Sequence, residues 1–473
     1  MSGLFGSLSS GVRALTAQSR AVETAGRNLA NVNNPHYARQ RVVLGDRGTV
    51  FTPEGAQSLG LEALQIQQLR DVLLDRQTVR EVAATAALDT EAAAYERAQA
   101  GLGQQIGRTG DAVALGAAGS GNGLAESITA FFNAFQAFAA RPTDLGERQS
   151  LVQQASALVD RVRTTDQRLE QVQTDLTEQI GTDVEEANRL LETIADLNRQ
   201  IGRAEINFPG GAADLRDQRQ ARLEELAAKL PCESRPASGY PGQLEISIRD
   251  TSGAEVVLVA GPATTGPVAL SGGTVTGGAS SAAIAVPTGG IGGALVARDT
   301  VIAETRSRID QLAEQFVRSV NTAYNPTGAT GDFFVASGVA AASFALASGV
   351  SASSLKASDG GAVGDNTVAR AVAALGDRRF SVAAGDVIDG TFLQHFTRTA
   401  TDLGQALAGA RARADDQRGV EQIVRGQRDA VSGVSLDEEM ADLMRYQRSF
   451  QASSRVVAVI DELLETVVNR LGA

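Results

Sequence analysis

The feature that most constrains this chain is an apolar heptad at its C-terminal end. Leu436, Leu443, Phe450, Val457, Leu464 and Leu471 stand seven residues apart, with Met440, Tyr446, Ile460 and Val467 one turn to either side. So narrow a stripe has the 3.5-residue period of a coiled-coil seam, whereas a globular helix carries a broader face. The start is marked by Ser435 ahead of Leu436, followed by Asp437, Glu438 and Glu439. A serine oxygen can accept from the first free amides, and acids suit the positive end of the helix dipole. No Pro or Gly interrupts until Gly472. A helix like this at a chain end needs a partner.

The opposite end of the chain offers one. Leu8, Leu15, Val22 and Leu29 are also seven apart, beside Leu4, Val12, Ala25 and Val32. This second helix is expected over about residues 3–33, because Asn33-Asn34-Pro35 cannot continue it. Its charges are Arg13, Arg20 and Arg27 against Glu23, while the C-terminal helix carries seven acids against four arginines. Opposite net signs favour pairing, although exposed pairs contribute only about 0.2–1 kcal/mol each. Burial of the seam weighs more, roughly 1.5–3 kcal/mol per buried side chain. The bland alternative is that each stripe is the core face of a larger helical domain.

Composition sets the bounds. The 473 residues suffice for two to four domains, and the net charge of −12 argues against nucleic acid or an anionic membrane as partner. Cys232 is the single cysteine, so no internal disulfide is expected. No run approaches the eighteen apolar residues of a membrane span. The first twenty residues lack a basic start and a continuous apolar stretch, so no cleaved secretory signal is expected.

Between the ends the pattern is nested. Residues 42–44 read as a short extended segment and 45–60 as loop or loose hairpin. Residues 61–105 read as helix, followed by a Gly/Ala-rich break to Gly123. A phenylalanine-faced helix is expected over 124–140, with Phe131, Phe132, Phe135 and Phe138 on one side. Arg141-Pro142-Thr143-Asp144 ends it and caps a long helix or helical hairpin over 145–205. Asn207-Phe208-Pro209-Gly210-Gly211 is a turn, and 215–230 a further helix stopped by Pro231. At Cys232 the character changes: Leu244-Glu245-Ile246-Ser247-Ile248 alternates, Asp250-Thr251-Ser252-Gly253 turns, and residues 255–259 answer as a second strand. Helix resumes over 294–324; residues 327–392 read as a loop or second minimal insertion; a helix from 392 to 432 leads to the terminal one.

The expected fold is mainly α and elongated, with an inserted β domain. The terminal helices pair as an antiparallel coiled coil (1–45 plus 433–473), a body of long helices spans 46–231 plus 294–432, and the β insertion covers 232–293.

Chemistry is sparse. His36 and His395 stand apart, Cys232 has no histidine near it in sequence, and no spacing fits a metal site. Gly272-Gly273 and Gly277-Gly278 lack the Gly-Lys-Ser/Thr of a phosphate loop. Asp214, Asp217, Glu224 and Glu225, interleaved with Arg216, Arg219 and Arg222, read as a solvated helix face. No catalytic, cofactor-binding or metal-ligating residue is expected.

Motifs add a resemblance. Ala30-Asn31-Val32-Asn33-Asn34-Pro35-His36-Tyr37-Ala38-Arg39-Gln40 resembles the signature that follows the N-terminal helix of bacterial flagellar axial proteins, with Asn31, Pro35, Tyr37, Arg39 and Gln40 in the matching positions. Asn34 stands where the family has Thr, and His36 where it has Gly. Residues 433–439, Arg445-Tyr446-Gln447 and Phe450-Gln451-Ala452-Ser453 look like the other end of the same family. The middle discriminates: residues 65–77, 141–144, Leu215-Arg216-Asp217-Gln218-Arg219, Gly292-Gly293-Ala294-Leu295 and Gly331-Asp332-Phe333-Phe334 are similar to the hook-associated protein 1 family of hook–filament junction proteins. The resemblance implies a non-enzymatic, extracellular part of the flagellum. It would leave the cell through the flagellar type III apparatus without a cleaved signal, with an export chaperone on its C-terminal helix. It would form a ring or helical layer of identical subunits at the distal end of the hook and contact the hook protein and the second junction protein. The terminal helices would order on polymerisation. Two other assignments share parts of the pattern. Another axial subunit, hook or distal rod, would have a mostly β middle. An exported enzyme would gather His36, His395 or Cys232 with acids in one cleft.

Overall fold

In a computed structural model, the chain is described over residues 2–46, 48–52, 55–58, 60–103, 123–206, 210–328, 331–360 and 364–471. Most of the break at 101–123, the turn residues Asn207, Phe208 and Pro209, and Gly472 lie outside these. The fold is mainly α with a small β region. In chain order the elements are α1 (Ser2–Ala30), β1 (Gln40–Asp46), β2 (Thr49–Thr52), β3 (Gly55–Ser58), β4 (Leu61–Gln68), α2 (Val72–Gly101), α3 (Leu124–Ala140), α4 (Leu145–Ala204) and α5 (Ala213–Lys229). There follow β5 (Glu233–Pro236), β6 (Leu244–Arg249), β7 (Glu255–Ala260), β8 (Ala263–Thr264), β9 (Ala269–Ser271), β10 (Thr274–Gly277) and β11 (Ala282–Ala283). The chain closes with α6 (Gly289–Ala297), a π turn (Arg298–Ile302), α7 (Ala303–Tyr324), α8 (Thr367–Ala373), α9 (Phe392–Ser432) and α10 (Leu436–Leu471). They form two compact units, one of Met1–Ala86, Asp183–Gly289 and Asp416–Ala473, the other of Ala87–Thr182 and Gly290–Asp415.

Local chemistry explains most boundaries. Asp71 Oδ1 accepts from the amides of Leu73 (2.8 Å) and Leu74 (3.3 Å), and Asp144 Oδ1 from those of Gly146 (2.7 Å) and Glu147 (3.3 Å), so each aspartate caps the helix that follows. One expectation fails here. Leu61–Gln68 is a strand, not the start of α2: it pairs antiparallel with β1, from Gln40 opposite Gln68 to Asp46 opposite Leu61, with a bulge at Val43/Leu44. Its Leu, Glu, Ala and Gln favour a helix, and the free edge of β1 overrides that preference. The loose hairpin foreseen at 45–60 is β2 against β3.

In the first unit, β5-β6-β7-β8 and β9-β10-β11 make two antiparallel sheets. Ile246, Leu258 and Val259 are buried in the first, Val275 in the second. Asn198 of α4 ties that sheet to the helices: its Nδ2 donates to the carbonyls of Leu244 (2.8 Å) and Gly261 (2.7 Å), while its Oδ1 accepts from Arg219 (2.7 Å).

The second unit is built on phenylalanine. Phe131, Phe135 and Phe138 of α3 are fully buried with Phe316 of α7 and Phe392 and Phe396 of α9. Phe316 stacks on Phe392 with centroids 4.0 Å apart, and Phe132 on Phe316 at 5.8 Å. The weakly patterned stretch 327–392 is irregular, as its composition suggests, yet Phe333, Phe334 and Phe344 are fully buried and Phe380 nearly so. A few large side chains anchor it, each aromatic pair adding about 0.5–1.5 kcal/mol beyond burial. The Gly292-Gly293 motif has a packing reason as well. A Cβ at Gly293 would lie 2.1 Å from the Ala87 carbonyl oxygen, so α6 and α2 touch backbone to backbone. The π turn follows directly. Among the described residues no helix is long and apolar enough to cross a membrane, and no group of His, Cys, Asp or Glu could hold a metal ion.

Candidate functional site

The site is a buried polar clasp at the root of the terminal helices. Its centre is Asn28, in the last turn of α1. Its Nδ2 donates to the Gln40 carbonyl (2.8 Å) and to Glu439 Oε2 (2.9 Å); its Oδ1 accepts from Tyr37 Oη (2.8 Å) and from the Gln40 amide (3.0 Å). Every hydrogen-bonding capacity of a carboxamide is used. One side chain thereby joins α1, the signature turn, β1 and α10. Arg39 repeats the connection, donating from Nε to Glu439 Oε1 and from an Nη to Glu438 Oε2, both at 2.6 Å. The Arg39 amide donates to the Ser432 carbonyl at the end of α9 (2.8 Å). The acids that open α10 therefore face a guanidinium as well as the helix dipole.

The other side of the turn rests on α5 and α9. Arg428 donates to the Pro35 carbonyl (3.0 Å) and to Glu224 Oε1 (2.6 Å), and Arg425 donates to Glu224 Oε2 (3.1 Å). His36 Nδ1 stands 3.6 Å from Glu224 Oε2, beyond hydrogen-bond length. Arg70 donates to the His36 carbonyl (3.2 Å), Asp217 Oδ1 (2.5 Å) and Asp75 Oδ2 (2.9 Å); Gln68 also donates to Asp217 (2.7 Å), and Gln40 to Asp214 (3.1 Å). Burial pushes the Glu224 carboxyl up, but His36 and Arg428 together outweigh it and hold the group at about 2. At Asp217 burial prevails over Arg70 and lifts the carboxyl to about 6. Burial, then Asp217 and Asp214, raise the Tyr37 phenol.

One reading is corrected. The acidic face of α5 is only partly solvated: Asp217, Arg219 and Glu224 are buried, while Asp214, Arg222 and Glu225 are exposed. Only the Arg222–Glu225 pair is an exposed pair of the type foreseen. His36 stands outside the left-handed backbone region, where a side chain is costly; among the described residues Ser281 alone of the non-glycines has positive φ.

Of the signature residues, Tyr37, Arg39 and Gln40 converge on the clasp, Pro35 contributes its carbonyl, and Asn31 Nδ2 turns back to the Arg27 carbonyl (3.0 Å). Arg445 lies apart, paired with Asp442 (2.8 Å) over the Tyr446 ring, and Gln447 is exposed. Asn28 and Arg428 escaped the sequence reading, and Glu224 entered it only as part of a solvated face. Asn28 carried a signal, since asparagine inside a helix competes with the backbone unless something holds it.

Beyond the clasp, α1 and α10 run antiparallel. Asn28 meets Glu439, and at the far end a Cβ on Gly11 would lie 2.7 Å from Val457 Cγ2. The innermost track of α1 consists of small residues: Ala17, Ala21, Thr24 and Ala25 are buried with Asn28, because α1 packs on β1 and β4 as well as on α10. Leu8, Leu15, Val22 and Leu29 flank that track, half-buried. On α10, Leu464 and Ile460 are buried, Leu443 and Val457 are half-buried, and Leu436 and Phe450 are exposed; the Leu471 side chain lies outside the described residues.

The residues considered for catalysis have other occupations. The His395 ring bonds the Arg308 carbonyl (3.1 Å). Cys232 is buried, which pushes its thiol up to about 12.

The known proteins to which the chain is similar are flagellar. Residues 115–334 match the model of the flagellar hook-associated protein FlgK helical domain, and 427–471 that of the flagellar basal body rod FlgEFG protein C-terminal region. The chain is 24% identical over 527 positions to flagellar hook-associated protein 1 of Bacillus subtilis, covering 100% of this chain and 99% of the relative. It is 27% identical to flagellar hook-associated protein 1 of Escherichia coli, over 72% of this chain and 61% of that one, and 26% identical to that of Salmonella typhimurium, over 71% and 59%. The alignments thus span about three-fifths of the two enterobacterial proteins. The solved flagellar hook junction protein FlgK from Burkholderia pseudomallei superposes with a TM-score of 0.44 at 21% identity, over 55% of this chain and 46% of that chain. The chain is thus similar to flagellar hook-associated protein 1 over its whole length.

Proposed function

We infer that this chain is a structural component of the bacterial flagellum that joins hook and filament. The terminal segments, 1–45 plus 433–473, act as its assembly domain. One observation carries this reading: the α1–α10 pair is anchored at its root and left apolar outside. Phe5 and Val12 of α1, with Leu436, Met440, Met444, Phe450, Val456, Val459 and Leu463 of α10, remain exposed. An isolated soluble helix pair rarely leaves so many large apolar side chains in water, and such a surface marks a partner-binding face. Neighbouring subunits, the hook protein and the second junction protein would cover it. Export by the type III route, without a cleaved signal and with a chaperone on α10, suits a helix whose apolar surface needs shielding before assembly, and places the protein outside the cell.

The test is to remove residues 446–473, beyond the clasp, and add the product to isolated hooks. The shortened chain should lose only the helical signal of the removed residues and keep its thermal unfolding, but no longer join hook ends. Undiminished joining would remove α10 from the assembly role.

A further inference from the structure

The signature turn makes one contact whose strength depends on a proton. Its backbone is held by groups that stay charged: Arg428 donates to the Pro35 carbonyl (3.0 Å) and Arg70 to the His36 carbonyl (3.2 Å). The His36 ring is different. Its Nδ1 is buried, makes no hydrogen bond among the described residues, and stands 3.6 Å from Glu224 Oε2. The side chain as a whole is 31% exposed, so the ring exchanges protons with solvent. Imidazole ordinarily changes charge between about pH 5 and 8. His36 stands where the resembled signature has Gly, so the contact belongs to this chain.

The surroundings favour a positive ring. Glu224 faces it from α5 with 4% of its side chain exposed. From α9 come Arg425 and Arg428, paired in turn with Glu421 and, at 3.7 Å, with Asp429. From the head of α2 and the residues before it come Asp75 and Arg70, and Arg70 also pairs with Asp217 of α5. Glu224, Glu421, Asp429, Asp75 and Asp217 outnumber Arg425, Arg428 and Arg70, and a proton on the ring adds a cation. Burial keeps the adjacent Tyr37 phenol neutral, and Asp214 is exposed. Charge-assisted hydrogen bonds are roughly twice as strong as neutral ones, so the charged ring gains most by closing on Glu224.

Asp217 works in the same direction. Burial lifts its carboxyl from the ordinary 3.8 to about 6, and its Oδ2 makes no hydrogen bond among the described residues. A raised carboxyl costs stability where it is ionised, and that cost disappears as pH falls through the folded value. Arg70 keeps Asp75 and the His36 carbonyl when Asp217 takes up its proton.

We propose that the clasp is fastened by a proton: His36, charged at mildly acidic pH, pairs with Glu224 and draws the signature turn onto α5 and α9, and loss of that charge loosens the turn. The turn carries Tyr37, Arg39 and Gln40 to Asn28 and Glu439, so the junction of α1 with α10 loosens with it. Stabilisation that comes from a charge gained on protonation is present where the ring is protonated and is lost as pH rises. The window closes from below where Glu224 itself takes up a proton, from 4.5 towards about 2.

Amide exchange of the free full-length chain tests this, and the result is independent of the assembly reading. Protection, corrected for the intrinsic pH dependence of exchange, is compared at about pH 8 and about pH 6. Peptides covering residues 28–41 and 432–442 report the clasp, and α3 serves as internal reference. Clasp protection should rise about tenfold on acidification while α3 stays level. His36→Gln should lose most of the rise, and Glu224→Gln should lose it as well, because the ring then has no counterion. Asp217→Asn should keep most of it. His36→Lys, charged at both pH values, should be as protected at the higher pH as the unsubstituted chain is at the lower. An undiminished rise in His36→Gln overturns the proposal, and so does a His36→Lys chain no better protected at the higher pH than the unsubstituted one. A rise kept in His36→Gln but lost in Asp217→Asn assigns the proton to Asp217 and likewise removes His36 from the role.

Discussion

At the scale of single residues, the clasp concentrates stability in two polar side chains. Asn28 makes four hydrogen bonds at once, so Asn28→Ala strands a buried amide, a phenol and a carbonyl and takes one donor from the Glu439 carboxylate, which keeps Arg39. A typical hydrogen bond nets about 1 kcal/mol, and an orphaned buried group costs about 1–3 kcal/mol. Asn28→Ala should therefore cost about 3–4 kcal/mol in urea unfolding. Asn28→Asp should fare no better at neutral pH, because it replaces two donors and faces Glu439 with a second carboxylate. Glu224 gives the pH dependence. Its carboxyl is held at about 2, well below the ordinary value of 4.5 that it regains on unfolding. A depressed carboxyl stabilises fully above the unfolded value, and that stabilisation is lost as pH falls from about 4.5 towards 2. The amount is on the order of 3 kcal/mol. Glu224→Gln should lower stability at neutral pH by a similar amount and flatten the acid limb between those values. An unchanged acid limb in the variant would assign the effect to other carboxylates.

At the scale of elements, close approach decides two glycines. A glycine-to-alanine change inside a helix ordinarily gains about 1 kcal/mol. At Gly11 the new methyl would press Val457 Cγ2 at 2.7 Å, and a β-branched residue in a helix has little freedom to turn aside. Gly11→Ala should show none of the expected gain, and adding Val457→Ala should recover part of it. At Gly293 the obstacle is the Ala87 carbonyl itself, which cannot rotate away. Gly293→Ala should cost roughly 1–3 kcal/mol, read from thermal unfolding. These contacts also show how far the sequence could be read. Periodicity placed every long helix, because three- and four-residue steps survive whatever the helix packs against. It placed the heptad residues of α1 beside α10, but not the alanine track that is innermost, since the chain gives no sign that β1 and β4 cover a second side of α1. Leu61–Gln68 read as helix because its pairing with β1 is non-local. The clasp was half legible. Tyr37, Arg39 and Gln40 stood in a recognisable motif, while Asn28 and Glu439 acquire meaning only when residues four hundred positions apart meet.

At the scale of the whole molecule, the same chain combines surfaces sealed to different degrees, and their stabilities should differ accordingly. The phenylalanine core of the second unit excludes water from rings on α3, α7 and α9. The outer part of α10 buries one line of side chains and leaves two stripes in solvent. Amide exchange follows local opening, and segments with few buried apolar contacts open at low free energy. In the free chain, protection should be greatest in α3 and α7, intermediate at the clasp, and least in α10 beyond Tyr446. When copies cover the stripes, α10 gains partners and its exchange should slow by orders of magnitude. The phenylalanine core, already sealed, should not change. The comparison needs only the free chain and the chain assembled on hooks, with peptide-level exchange read by mass spectrometry. Equal protection of α10 in both states would mean that α1 alone seals it, and the exposed stripes would then need a purpose other than assembly.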